Sequence, residues 1–156
     1  MFFSIFHVFC AGIVVLLLIP NLIYALRHRG GGISSGSRAV NLLEQIGRFG
    51  CMICMVVPLG VPGGAFGFCS PEAFLIWAAG IAALLLAYYA CWVFYALRPG
   101  RRLELALAVL PCGVFLLHGV LLRHWLLAVF AGIFAGAHVY IVGRYGGKGA
   151  EAHDGP

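Results

Sequence analysis

The sequence predicts an all-α integral membrane bundle of five transmembrane helices, with the N-terminus outside and the C-terminus cytoplasmic. Three observations carry this expectation. Of the 156 residues, 63% are hydrophobic and 10% are charged, against about 25% charged in an ordinary soluble domain. The charged residues gather in clusters and leave five apolar stretches, at about 2–26, 49–68, 73–97, 103–122 and 125–143. Each is near or above the roughly 20 residues that cross a ~30 Å hydrocarbon layer as a helix. Nine of the ten basic residues fall in three places: Arg27, Arg29, Arg38 and Arg48 around the first connection, Arg98, Arg101 and Arg102 in the third, and Arg144 and Lys148 in the tail. Only Arg123 falls on the other side, and the positive-inside rule then sets the orientation.

In the first stretch no Lys or Arg precedes the apolar run, which is too long for a signal-peptide core, so a permanent anchor is expected. His7, Cys10, Val14, Leu17, Asn21 and Tyr24 recur at steps of three and four and share one side. Polar groups in lipid seek protein partners, so this side is expected to turn inward, either for helix packing alone or as the wall of a polar cavity. Pro20 is expected to free a backbone carbonyl one turn earlier. The connection RHRGGGISSGS and the tail at 146–156 are glycine-rich and read as flexible.

The second stretch depends on register. If its helix runs through Pro58 and Pro62 to Phe68, Glu44 and Arg48 form an i,i+4 ion pair at the membrane interface. If PLGVPGG ends the helix near Leu59, the span reaches back to about Val40 and the pair lies inside it, where ionisable groups mark a functional site. The interfacial placement is the one the sequence favours. In the later stretches, only Arg123 and His124 break the apolar pattern of LLHGVLLRHWLL, which predicts an antiparallel hairpin. Gly132 and Gly136, like Gly60 with Gly64 and Gly63 with Gly67, have the small-residue spacing of close helix packing, within the chain or in a homo-oligomer.

Cys51 and Cys54 form a C-x-x-C, but no second ligand pair accompanies them, so they read as structural thiols. His7 and His118 are expected near the outer ends of their helices, and two imidazoles at equal depth suit a haem iron, the alternative to a chain without cofactors. At the opposite, cytoplasmic end Asn21, Tyr24, Glu44, Arg48, Tyr88, Tyr95, His138 and Tyr145 are expected to converge. Such a cluster reads either as an aromatic belt or as a cavity for a polar or amphipathic ligand or a lipid headgroup. The net charge of +5 follows from the topology bias and is no sign of nucleic acid. Phosphate-loop, nucleophile-elbow and H-E-x-x-H motifs are absent, and Glu44 is the only acid placed for a proton relay.

The segments IPNLIYALRHR and LLEQIGRFGCM, covering about the first third of the chain, resemble small uncharacterised multi-pass membrane proteins of bacteria. The resemblance implies bacterial origin and multi-pass topology, and it brings no activity with it. The expectation is therefore an inner-membrane protein in contact with anionic lipid headgroups. It would act as a carrier, a lipid or ligand binder, or the membrane subunit of a larger complex, with Asn21, Tyr24, Glu44, Arg48 and His138 as the ligand site. The alternatives are a redox protein holding haem at His7 and His118, and a membrane enzyme using Glu44 and His138 on a lipid-like substrate.

Overall fold

The computed structural model describes residues 2–27, 37–57 and 67–145. Five helices account for nearly all of them: α1 (Phe2–Arg27), α2 (Arg38–Val56), α3 (Pro71–Leu97), α4 (Arg101–Leu121) and α5 (Trp125–Tyr145). By length and composition α2, α3, α4 and α5 are apolar enough to cross a membrane, with a mean hydropathy of 1.3 for α2 and 2.0 for the others. Within the described side chains of α1 a shorter apolar run covers Val8–Tyr24. Large apolar side chains cover the outside of the bundle, among them Leu86 at 72%, Trp125 at 65% and Phe94 at 60% exposure. Such a surface is stable only against lipid or a partner of similar polarity.

Local chemistry sets the helix ends. Ser70 caps α3 by accepting from the Ala73 amide at 3.2 Å, Pro71 stands in the first turn where its missing N–H costs nothing, and Glu72 meets the positive end of the helix dipole. The helix stops at Arg98, which precedes Pro99 and takes an extended conformation. Helix α2 stops for the same reason: Val57 precedes Pro58 in the sequence and is extended at φ −116, ψ 123. Its range is therefore 38–56 and not the expected 49–68, whereas the other four helices lie within about two residues of their predicted bounds.

The α4–α5 hairpin turns on a Schellman motif. The Arg123 amide bonds Val120 O at 3.1 Å and the His124 amide bonds Gly119 O at 2.7 Å, with Arg123 left-handed at φ 58. His124 then caps α5, its Nδ1 accepting from the Leu127 amide at 3.1 Å.

Side by side, α2 packs on α5, α5 on α4 and α4 on α3, each pair antiparallel, while α1 leans across α2 and α3. Helix α1 runs parallel to α3, to which it is tied through its backbone. Pro20 removes the donor that would bond the Leu16 carbonyl, and the Tyr89 hydroxyl supplies it instead at 2.8 Å, while Tyr88 donates to Leu17 O at 3.0 Å. Cys10, Val14 and Leu17, three members of the predicted inward stripe of α1, are buried. The core continues through Cys51, Cys54, Trp77, Cys112, Phe115 and Phe134, so the C-x-x-C thiols are free and buried as structural cysteines.

The glycines at the tight contacts are not the expected ones. A Cβ on Gly47 would lie 2.7 Å from the Phe134 amide nitrogen, and one on Gly119 would lie 3.0 Å from the Ala128 nitrogen. A Cβ on Gly132 or Gly136 would meet no described atom of another helix within 4 Å, which corrects the reading of their spacing as packing within the chain. Gly60, Gly63 and Gly64, the connection at 28–36 and the tail at 146–156 lie outside the described residues.

Gly47→Ala is expected to destabilise the fold by about 2 kcal/mol by overpacking against backbone, while Gly132→Ala and Gly136→Ala stay within about 0.5 kcal/mol, all read by thermal unfolding in detergent. Arg123→Gly is expected to stabilise by about 1 kcal/mol, since glycine bears no penalty in the left-handed region. Burial pushes the His124 imidazole below its ordinary value of 6.5, with the Val57 backbone pulling the other way. The folded chain thus binds this proton less readily than the unfolded one, so the stability is present above about pH 6.5 and declines as the pH falls below it. His124→Asn keeps a cap acceptor and loses the titration, and is expected to flatten the loss of thermal midpoint between about pH 7.5 and 5.5. An unchanged slope would assign the loss to other groups.

Candidate functional site

A carboxylate inside an apolar helix bundle is tolerable only with donors around it. Glu44 stands six residues after Arg38, about 9 Å along α2, and Arg48 stands about 15 Å along a helix about 28 Å long. The pair therefore occupies the body of α2, whose end at Val56 overturns the expected run through Pro58 and Pro62 to Phe68. Only 6% of the Glu44 side chain is exposed. Its Oε1 accepts from Arg48 Nη2 one turn further on, and from His138 Nδ1 of α5 at 3.1 Å.

The crossing of α2 and α5 brings His138 to this position. The helices run antiparallel and touch at Gly47 and Phe134, so the residue one turn before Gly47 faces the residue one turn after Phe134. Phe134 also supports both partners of the carboxylate. Its ring stacks on His138 with centroids 4.9 Å apart and lies 6.0 Å beneath the Arg48 guanidinium carbon.

These groups border a cavity of about 480 Å³ between α1, α2, α4 and α5, within the range of small-molecule pockets. Its walls are mixed. Asn21 and Tyr24 of α1 and Asn41 and Gln45 of α2 line the end where α2 begins, beside Ile141 and Val142 of α5, whereas Val14, Met52 and Phe115 line the other and Phe134 lies between. All five predicted ligand residues, Asn21, Tyr24, Glu44, Arg48 and His138, line this one cavity. Asn41 and Gln45 lie ahead of the helix expected at 49–68 and so fall on no face of it. Counted from Arg38, the steps 41, 45, 48 and 52 make one helical face. Pro111 also lines the cavity and deprives the Leu107 carbonyl, on the same wall, of its helical donor.

Three other tyrosines of the predicted cluster do not line the cavity, although Tyr95 packs on Tyr24 with ring centroids 6.1 Å apart. Tyr88 is buried against Leu17, Tyr95 donates to Glu104 Oε1 at 3.2 Å, and Tyr145 ends α5 away from the cavity wall. His118 belongs to the opposite end of the bundle, fully buried, with Nδ1 accepting from Trp77 Nε1 at 3.2 Å. The His7 side chain lies outside the described residues, and among those described no group of three or more His, Cys, Asp or Glu gathers in metal-binding geometry.

Fold and site together define a helical multi-pass membrane protein with an ion-paired, half-polar cavity inside the bundle. No protein-family model matches the chain, and comparisons with curated proteins and with solved structures find no significant match.

A double-mutant cycle between Glu44→Gln and Arg48→Ala is expected to give a coupling of about 1–2 kcal/mol, below that of a fully buried pair because Arg48 is more than a third exposed. Thermal unfolding in detergent reads it, and additive effects would show that the pair contributes nothing to stability.

Proposed function

We propose that this protein binds an amphipathic molecule, a lipid or lipid-like metabolite, inside the membrane, and acts as a carrier or as the ligand-holding subunit of a membrane complex. The observation that carries the reading is the mixed lining of the cavity: Asn21, Tyr24, Asn41 and Gln45 at one end beside Ile141 and Val142, Val14, Met52 and Phe115 at the other, and Glu44, Arg48 and His138 between them. A headgroup and an alkyl chain find their matching surroundings in that order. Intramembrane ionisable groups are expensive to keep, which favours a binding role over an anchoring one.

In this reading all five helices span a bacterial inner membrane, with the N-terminus outside. The up-and-down packing supports it, since among the described residues Arg38, Arg98, Arg101, Arg102 and Arg144 gather at one end of the bundle and Arg123 alone stands at the other. The polar end of the cavity then opens toward the cytoplasmic face. No observation adds to the haem or enzyme alternatives.

The reading is tested by native mass spectrometry of the full chain extracted in mild detergent. The wild type is expected to retain a co-purified amphiphile, and Leu18→Trp, which fills the cavity from α1, to lose at least about 90% of it. Equal retention by both would place any bound lipid on the outer surface and end the proposal.

A further inference from the structure

We infer that the ligand's head is an anion, a phosphate or carboxylate, taken by Arg48, with Glu44 and His138 holding that arginine in place. The inference rests on the binding reading above and names its ligand class. Among the described residues Glu44 is the only acid on the cavity wall and Arg48 the only guanidinium or ammonium there, so their formal charges balance. Their accessibility does not. The Glu44 side chain is 6% exposed and receives two donors on one oxygen, whereas 37% of the Arg48 side chain and 23% of His138 remain open. A ligand therefore meets the cation and not the carboxylate.

A guanidinium carries five N–H donors in a planar fork that matches phosphate or carboxylate oxygens two at a time. One nitrogen, Nη2, is turned to Glu44, which fixes the plane of the fork, and the Phe134 ring lies on one side of it. The remaining N–H groups are available to a ligand. His138 turns Nδ1 to Glu44, so in the neutral ring Nε2 is an acceptor, suited to a hydroxyl of the ligand head and not to its anionic oxygens. Val14, Met52 and Phe115 lie beyond Arg48 and have nothing to offer an inorganic ion, so an anion attached to an alkyl chain gains contacts that a free one does not. An arginine this far along the helix also benefits from a second counter-charge when surrounded by lipid. In these terms Arg48 is the binding residue and Glu44 a positioning residue.

The test uses the full chain in detergent and three single-chain lipids of one acyl length: lysophosphatidic acid, lysophosphatidylcholine and monoacylglycerol. Binding is read by native mass spectrometry, with inorganic phosphate as a competitor. Lysophosphatidic acid is expected to bind at least about tenfold more tightly than the other two. Arg48→Gln is expected to bring it to their level and leave monoacylglycerol unchanged, while Arg48→Lys, which keeps the charge without the fork, falls between. Since Arg48→Gln strands the Glu44 carboxylate and endangers folding, the double variant Glu44→Gln/Arg48→Gln, which removes both charges, is measured beside it. It must show the same loss of head selectivity.

Displacement by inorganic phosphate at an affinity equal to that of lysophosphatidic acid keeps the anion site and identifies free anion as its ligand. Equal binding of all three lipids, lowered equally by Leu18→Trp, overturns the anionic head and leaves the binding reading standing. Binding of none of them, in wild type or variant, overturns both.

Discussion

Helices α2 and α5 approach so closely that a single methyl group on Gly47 would meet the Phe134 backbone at 2.7 Å, and the arrangement of the site depends on that contact. Without a hydrophobic force to press helices together in lipid, close backbone approach and the dispersion contacts it permits hold such a pair. The antiparallel crossing sets a register in which Glu44 meets His138 and Arg48 rests on Phe134. A crossing one helical turn away would bury Glu44 against apolar side chains, with Arg48 as its only partner.

The same economy recurs wherever the chain breaks a helical rule. Pro20 costs α1 a hydrogen bond, and Tyr89 of α3 restores it at the Leu16 carbonyl, which turns a local defect into a link between two helices. Arg123 occupies a left-handed position usually held by glycine, and the Schellman bonds around it close a hairpin that ends on the His124 cap. Pro111 lies within α4 beside the cavity and leaves the Leu107 carbonyl there without its helical donor. Each departure from regular helix in the described residues satisfies a neighbour or borders the site.

Much of this was legible in the chain. Long apolar runs mark membrane helices because no water reaches their backbones, and the bounds of α1, α3, α4 and α5 follow from the clusters of charge and turn residues between them. The second helix was misplaced because hydropathy continues past Pro58, while backbone geometry does not. The residue before a proline resists the helical region, so α2 ends at Val56 and extends back into a polar segment. That shift moved Glu44 and Arg48 from the edge of the helix to its body and brought Asn41 and Gln45 onto the cavity wall. Small-residue spacing misled for a related reason: Gly132 and Gly136 have the spacing of a contact, but Gly47 and Gly119 have the neighbours.

The sequence by itself determined that this is a helical membrane protein and singled out Asn21, Tyr24, Glu44, Arg48 and His138 among its few polar groups, since composition and periodicity are properties of the chain alone. Only the tertiary structure decided that these five line a single cavity, that the carboxylate is shielded while the arginine stays open, and that His138 is the third member of the ion pair. Helical periodicity gives the direction of a side chain about its own axis and says nothing of which neighbouring helix faces it. That relation is set by packing at a few close contacts far apart in sequence.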